Sequence, residues 1–169
     1  LLLWDEARRA LDGDDSSKAS ELLERVKAFK EGQLPLGVGR WLVDTVQFEL
    51  LLRAGQGDEA RTQLAEWAGV SDESLSRHEA CVRSFRVSRL ALKLKENAKA
   101  KDASERFLAQ GCAPETSSAQ VRVDLASLNL EAGDKVVAAG LVRGLVNSWR
   151  RADPQLPVLR RALALKEEL

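Results

Sequence analysis

Nine lysines or arginines (positions 77, 83, 86, 89, 93, 95, 99, 101 and 106) stand against four acids between Arg77 and Arg106, a local excess of five positive charges. Over the whole chain 26 Lys+Arg and 26 Asp+Glu cancel, so this excess is a feature of one segment and creates no global field. On a helix turning about 100° per residue, Arg83, Arg86, Arg89 and Lys93 fall within an arc of about 120°. Guanidinium groups so arrayed can hold carboxylates or phosphates through paired hydrogen bonds. A solvated face, balanced by Glu96, Asp102 and Glu105, is the alternative for the same residues. Arg143, Arg150, Arg151, Arg160 and Arg161 form a second basic cluster.

Catalytic chemistry finds little material. His78 is the single histidine, which excludes a two-histidine metal site and paired imidazoles. Cys81 lies three residues from His78 on the same helical pattern, without a third group to orient the pair. The acid pairs Asp14-Asp15, Asp72-Glu73 and Glu167-Glu168 sit at helix starts or at the chain end, where they complement helix dipoles or are solvated. No phosphate-cradling glycine loop and no His-Glu-x-x-His pattern occurs. The expectation is a protein that is not an enzyme, with no cofactor and no metal. Cys81 and Cys112 lack a Cys-x-x-Cys spacing, and two free buried thiols in a reducing compartment are expected, with one disulfide as the alternative.

The elements that would position these residues are helical throughout. The 169 residues include 28 Leu, 23 Ala and 14 Val but no Ile, Tyr or Met and only three Thr, so a sheet would have to be built almost from Val alone. The longest apolar run falls far short of the roughly 20 residues a membrane span needs, and the Leu1–Trp4 start meets Asp5, Glu6, Arg8 and Arg9 at once. The chain does not begin with Met, so it is expected to be a fragment of a longer protein whose targeting sequences could lie outside it. A cytoplasmic location without membrane attachment is expected. Apolar periodicity and breaks at Gly13, Gly32 to Gly39, Gly55, Gly69 to Ser74, Asn97, Gly111 to Pro114, Gly133 and Asp153 to Pro157 delimit about nine helices. The fifth is read as about Leu75 to Glu96, and a capping box near Ser17 or Lys18 with Glu21 is expected to open the second.

Short links make successive helices antiparallel hairpins. A small residue recurs just after four of the breaks, at Ala19, Ala60, Ala103 and Ala138, followed four residues later by Leu23, Leu64, Phe107 and Val142. Close helix crossings need that alternation of small and large. With the turns at Gly13, Gly55, Asn97 and Gly133, this arrangement resembles the tetratricopeptide repeat (TPR) family over nearly the whole chain. The units exceed that family's period of about 34 residues, which equally suits HEAT-like pairs or an irregular solenoid, and an irregular helical bundle is the remaining alternative.

The resemblance implies an all-α, right-handed α-solenoid of about four antiparallel hairpins plus a terminal helix, forming one domain over residues 1–169. It also implies a concave groove lined by first helices, into which Arg83, Arg86, Arg89 and Lys93 would project to hold an acidic peptide segment or a C-terminal carboxylate. The expected function is therefore a protein–protein interaction scaffold that binds a peptide or partner helix within a larger assembly. RNA or DNA binding through the same stripe, and a purely structural role, are the alternatives. Trp4, Trp41, Trp67 and Trp149 are read as packing anchors within apolar stripes.

Overall fold

The computed structural model describes residues 2–27, 38–71, 73, 75–112 and 115–169. Among the described residues the fold is all-α: nine helices and no strand. They are α1 (Leu2–Asp12), α2 (Ser16–Lys27), α3 (Val38–Arg53), α4 (Gly57–Gly69), α5 (Arg77–Lys93), α6 (Asn97–Ala109), α7 (Glu115–Glu131), α8 (Lys135–Ser148) and α9 (Pro157–Glu168). Phe29, the Gly32 stop, most of the turn with Pro35, the caps Asp72 and Ser74, and Pro114 lie outside the described residues.

Four links obey one rule. Between α1 and α2, α3 and α4, α5 and α6, and α7 and α8 lie three residues each. The middle one has a left-handed backbone: Asp14 (φ 64°), Gly55 (φ 74°), Lys95 (φ 59°) and Gly133 (φ 83°). The amide that follows bonds back to a carbonyl five residues earlier: Asp15 to Ala10, Gln56 to Leu51, Glu96 to Ala91 and Asp134 to Asn129. The left-handed residue's own amide bonds three residues back, to Leu11, Leu52, Leu92 and Leu130. These two bonds satisfy carbonyls that a helix end leaves without partners, which is the Schellman termination. The third link residue stands at the start of the next helix and caps it in two of the four: Asp15 Oδ1 accepts from the Lys18 amide (2.9 Å) and Asp134 Oδ1 from the Val137 amide (3.1 Å), whereas Glu96 makes no side-chain cap bond. One helix's terminator is thus the next helix's initiator. Asp15 fills the capping role two to three residues ahead of the expected Ser17 or Lys18.

Five residues beyond each left-handed residue comes an alanine with virtually no exposure: Ala19, Ala60, Ala100 and Ala138. Helix axes about 8–10 Å apart leave room for little more than a methyl group at such a crossing. The third member is Ala100, not the expected Ala103, because Lys95 makes the turn two residues ahead of Asn97. Helix ends are commonly marked by glycine, and a lysine with positive φ gives no such signal. The corrected spacings are 41, 40 and 38 residues. One turn further along stand Leu23, Leu64, Ser104 and Val142, all buried. Ser104 pairs its hydroxyl with that of Ser88 on α5 at 2.7 Å, so the polar substitution inside the fold is satisfied.

The chain divides into two compact units, Leu1–Glu66 and Trp67–Leu169. In the first, α2 packs against α1 and α3, and Ala7, Leu11, Leu22, Leu23 and Val46 form its core. Arg53, at the end of α3, donates to the Leu11 carbonyl at 2.6 Å and pairs with Asp14, tying α3 to the α1–α2 turn. In the second unit, α5 packs on α6, α7 on α6 and α8, and α9 on α7 and α8. Sandwiched in this way, α7 buries residues around most of its circumference, including Val121, Val123, Leu125, Ala126 and Leu128. Pro157 occupies the first turn of α9, where its missing N–H costs nothing. Trp67 is buried and Trp149 half-buried, while the side chains of Trp4 and Trp41 lie outside the described set.

Candidate interaction surface

The stripe expected on α5 divides between the interior and the surface. Ser76 caps α5 in a full capping box: its hydroxyl accepts from the Glu79 amide (3.3 Å), and the Ser76 amide donates to Glu79 Oε2 (2.9 Å). The Ser76 hydroxyl also donates to Glu79, and these bonds hold the Glu79 carboxyl below its ordinary pKa. Arg77 then reaches across to the α6–α7 link, donating to the carbonyls of Gln110 (2.9 Å) and Gly111 (3.2 Å). Arg83 is 2% exposed and donates to the Val70 carbonyl, so its guanidinium is part of the packed interior. Arg86 is half-buried and Lys93 exposed.

Arg89 is committed to a neighbour. Asp124, 2% exposed on α7, accepts from Arg89 of α5 at 2.5 Å on one oxygen. Its other oxygen accepts from Arg161 of α9 at 2.9 Å and from Gln120 Nε2 at 3.0 Å. A buried carboxylate thus links three helices, and its cost of desolvation is met by two guanidiniums and an amide. Sequence reading passed over Asp124, although a lone acid between Val123 and Leu125 was a signal that a buried charge needed partners. The structure does not gather Arg83, Arg86, Arg89 and Lys93 into one open array. It sends Arg83 inward and Arg89 to Asp124, while Lys93 is exposed. In the second basic cluster Arg161 is likewise bound to Asp124, whereas Arg143, Arg150, Arg151 and Arg160 are exposed and form no ion pair among the described residues.

The two cysteines are joined. Cys81 on α5 and Cys112 in the α6–α7 link form a disulfide with Cα atoms 5.6 Å apart, correcting the expectation of free thiols. The hairpin brings the two together: Arg77 anchors the start of α5 to Gln110 and Gly111, so Cys81, one helical turn further on, faces Cys112. Phe85, Phe107 and Val121 pack around the bond, the two rings lying 5.7 Å apart. With Cys81 oxidised, no Cys81–His78 nucleophile pair exists.

Between α7 and α8 lies an open groove of about 380 Å³. Ser118, Ala119 and Arg122 of α7 form one wall, Gly144 and Leu145 of α8 the other, and Trp149 stands at the end of α8. Ala119 and Leu145 supply an apolar floor continuous with the core around Val123 and Ala162. Arg122 is exposed and has no ion-pair partner among the described residues. Gly144 keeps the α8 wall low, since a methyl there would meet nothing closer than the Arg122 guanidinium at 3.8 Å.

Among the described residues no group of three or more His, Cys, Asp or Glu is placed to hold a metal ion, and no helix is long and apolar enough to cross a membrane. The chain matches no protein-family model, no curated protein and no solved structure.

Proposed function

We propose that this chain is a protein–protein interaction scaffold, similar to the TPR family, whose hairpins stack as a right-handed α-solenoid and hold a peptide or partner helix. The observation that carries this reading is the four-fold recurrence of one turn: three link residues, a left-handed middle residue, a Schellman termination and an enclosed alanine five residues later. Repeated units that cannot bury their apolar faces alone are stable only when stacked, and such stacks expose elongated binding surfaces. Binding rather than catalysis suits a chain with a single histidine and with its two cysteines bonded to each other. The same bond favours an oxidising compartment over the cytoplasm expected from composition.

Selection of random dodecapeptides on the immobilised protein tests the reading. Enrichment of a shared sequence pattern, with binding of the free peptide confirmed by fluorescence anisotropy, is the expected result. A 20-nucleotide single-stranded RNA serves as the contrasting ligand. Tight RNA binding that falls steeply between 50 and 200 mM salt, with no peptide enriched, would assign the surface to phosphate recognition instead.

A further inference from the structure

The geometry points to the α7–α8 groove as a docking site for an acidic peptide segment in which a carboxylate stands beside an apolar side chain. This rests on the scaffold reading and names the place and the partner's chemistry. Three observations converge. The groove's volume of about 380 Å³ falls within the range of about 300–1,000 Å³ typical of small-molecule and side-chain pockets. Its floor, Ala119 and Leu145, is apolar, and Trp149 offers a half-buried ring whose flat face takes an aliphatic or aromatic group at little entropic cost. Its rim carries Arg122, a fork of donors without an acid partner among the described residues.

Charge complementarity fixes the sign of the partner. From Lys135 to Ala152 the chain has four cations, Lys135, Arg143, Arg150 and Arg151, and no acid. Arg143 is exposed next to Gly144, and Arg150 and Arg151 are exposed directly after Trp149. An incoming chain therefore meets a positive field around an apolar slot. A carboxylate accepts both donors of the Arg122 fork while the neighbouring side chain lies on Trp149. The backbone of the segment passes over Gly144, where the nearest side chain is the Arg122 guanidinium that holds the carboxylate. This surface is separate from the α5 stripe, whose Arg83 and Arg89 are engaged within the fold.

Anisotropy of a fluorescein-labelled dodecapeptide alternating Phe and Asp measures the affinity, beside a control with every Asp replaced by Asn. Wild type is expected to bind the acidic peptide at least tenfold more tightly than the amide control. Arg122→Gln should weaken binding about tenfold, and Arg122→Lys by less. Gly144→Leu fills the slot and should abolish binding, while the melting temperature holds or rises because the substitution also removes a helical glycine. Acidic-peptide binding that is indifferent to Arg122→Gln and Gly144→Leu overturns this site but leaves the scaffold reading standing. If no dodecapeptide of any composition binds, the scaffold reading itself fails. Sedimentation showing a dimer that Gly144→Leu dissociates, or RNA binding lost in Arg122→Gln without peptide binding, gives the groove to a second copy or to phosphates and likewise overturns the proposal.

Discussion

Asp124 allows a prediction whose sign depends on which partner is removed. The carboxylate is 2% exposed, whereas the side chains of Arg89 and Arg161 are 38% and 48% exposed. In Asp124→Asn the negative charge is lost and only one oxygen is left to accept, but both guanidiniums already touch water and rehydrate, so the cost is one to two charged hydrogen bonds, about 1–3 kcal/mol. In the double variant Arg89→Met/Arg161→Met the carboxylate stays buried with Gln120 as its remaining partner, and an uncompensated buried charge costs about 3–5 kcal/mol. The double cation variant should therefore be less stable than Asp124→Asn by about 2 kcal/mol. Replacing all three together, with Asp124→Leu, should recover most of the loss, since a buried ion cluster exchanged for apolar groups is close to neutral. Urea unfolding at pH 7 followed by circular dichroism gives the three values, and additivity fails for groups in one network. Equal stabilities for Asp124→Asn and the double cation variant would refute the reasoning, because they would mean that water reaches the carboxylate freely.

Other consequences are simpler. Reduction of the Cys81–Cys112 bond, or Cys81→Ala/Cys112→Ala, frees a loop spanning 31 residues and should destabilise the second unit by about 3–4 kcal/mol on the chain-entropy argument. A thermal melt with and without reductant that superimpose would contradict this. Lys95→Gly relieves a left-handed backbone that side chains resist and should raise stability by about 1 kcal/mol; no such gain is expected at Lys93, inside α5. Glu79 has its carboxyl pKa depressed by the Ser76 bonds, so its contribution is present above the ordinary carboxylate range and is lost as pH falls through the lower folded value. Nuclear magnetic resonance titration of Glu79 should show that depressed midpoint rise part of the way to ordinary in Ser76→Ala, because the backbone amide of residue 76 still donates to the carboxylate.

Helix content and hairpin order could be read from the sequence because they rest on composition and on breaks that glycine makes visible. Gly55 and Gly133 sit where the links require a left-handed residue. The third hairpin slipped by three residues because Lys95 does the same work without a glycine, drawing attention to Asn97 and Ala103 instead of Lys95 and Ala100. The basic stripe was legible as a sector of α5 but not as a set of fates. Which side of a helix a neighbour covers depends on packing, so Arg83 entered the interior and Arg89 found Asp124 35 residues away. The disulfide escaped for a related reason: a separation of 31 residues says nothing until the α5–α6 hairpin folds Cys112 back beside Cys81. Trp149 was legible only as a packing anchor and Arg122 carried no signal of its own; their common groove follows from the α7–α8 pairing.

The three-residue links divide the chain into places that accept change and places that refuse it. Within a hairpin, every link residue already holds a duty: ending one helix, turning left-handed, or starting the next helix. An added residue there has no position to occupy and would break both caps at once. Between hairpins the described intervals differ in length, with 70–76, 110–114 and 149–156 separating successive helices. Variation in length therefore belongs to the joints between hairpins; with 110–112 tied to α5 by the disulfide and by Arg77, the 149–156 joint is the one where a loop, a tag or a new recognition segment can be grafted without altering a hairpin.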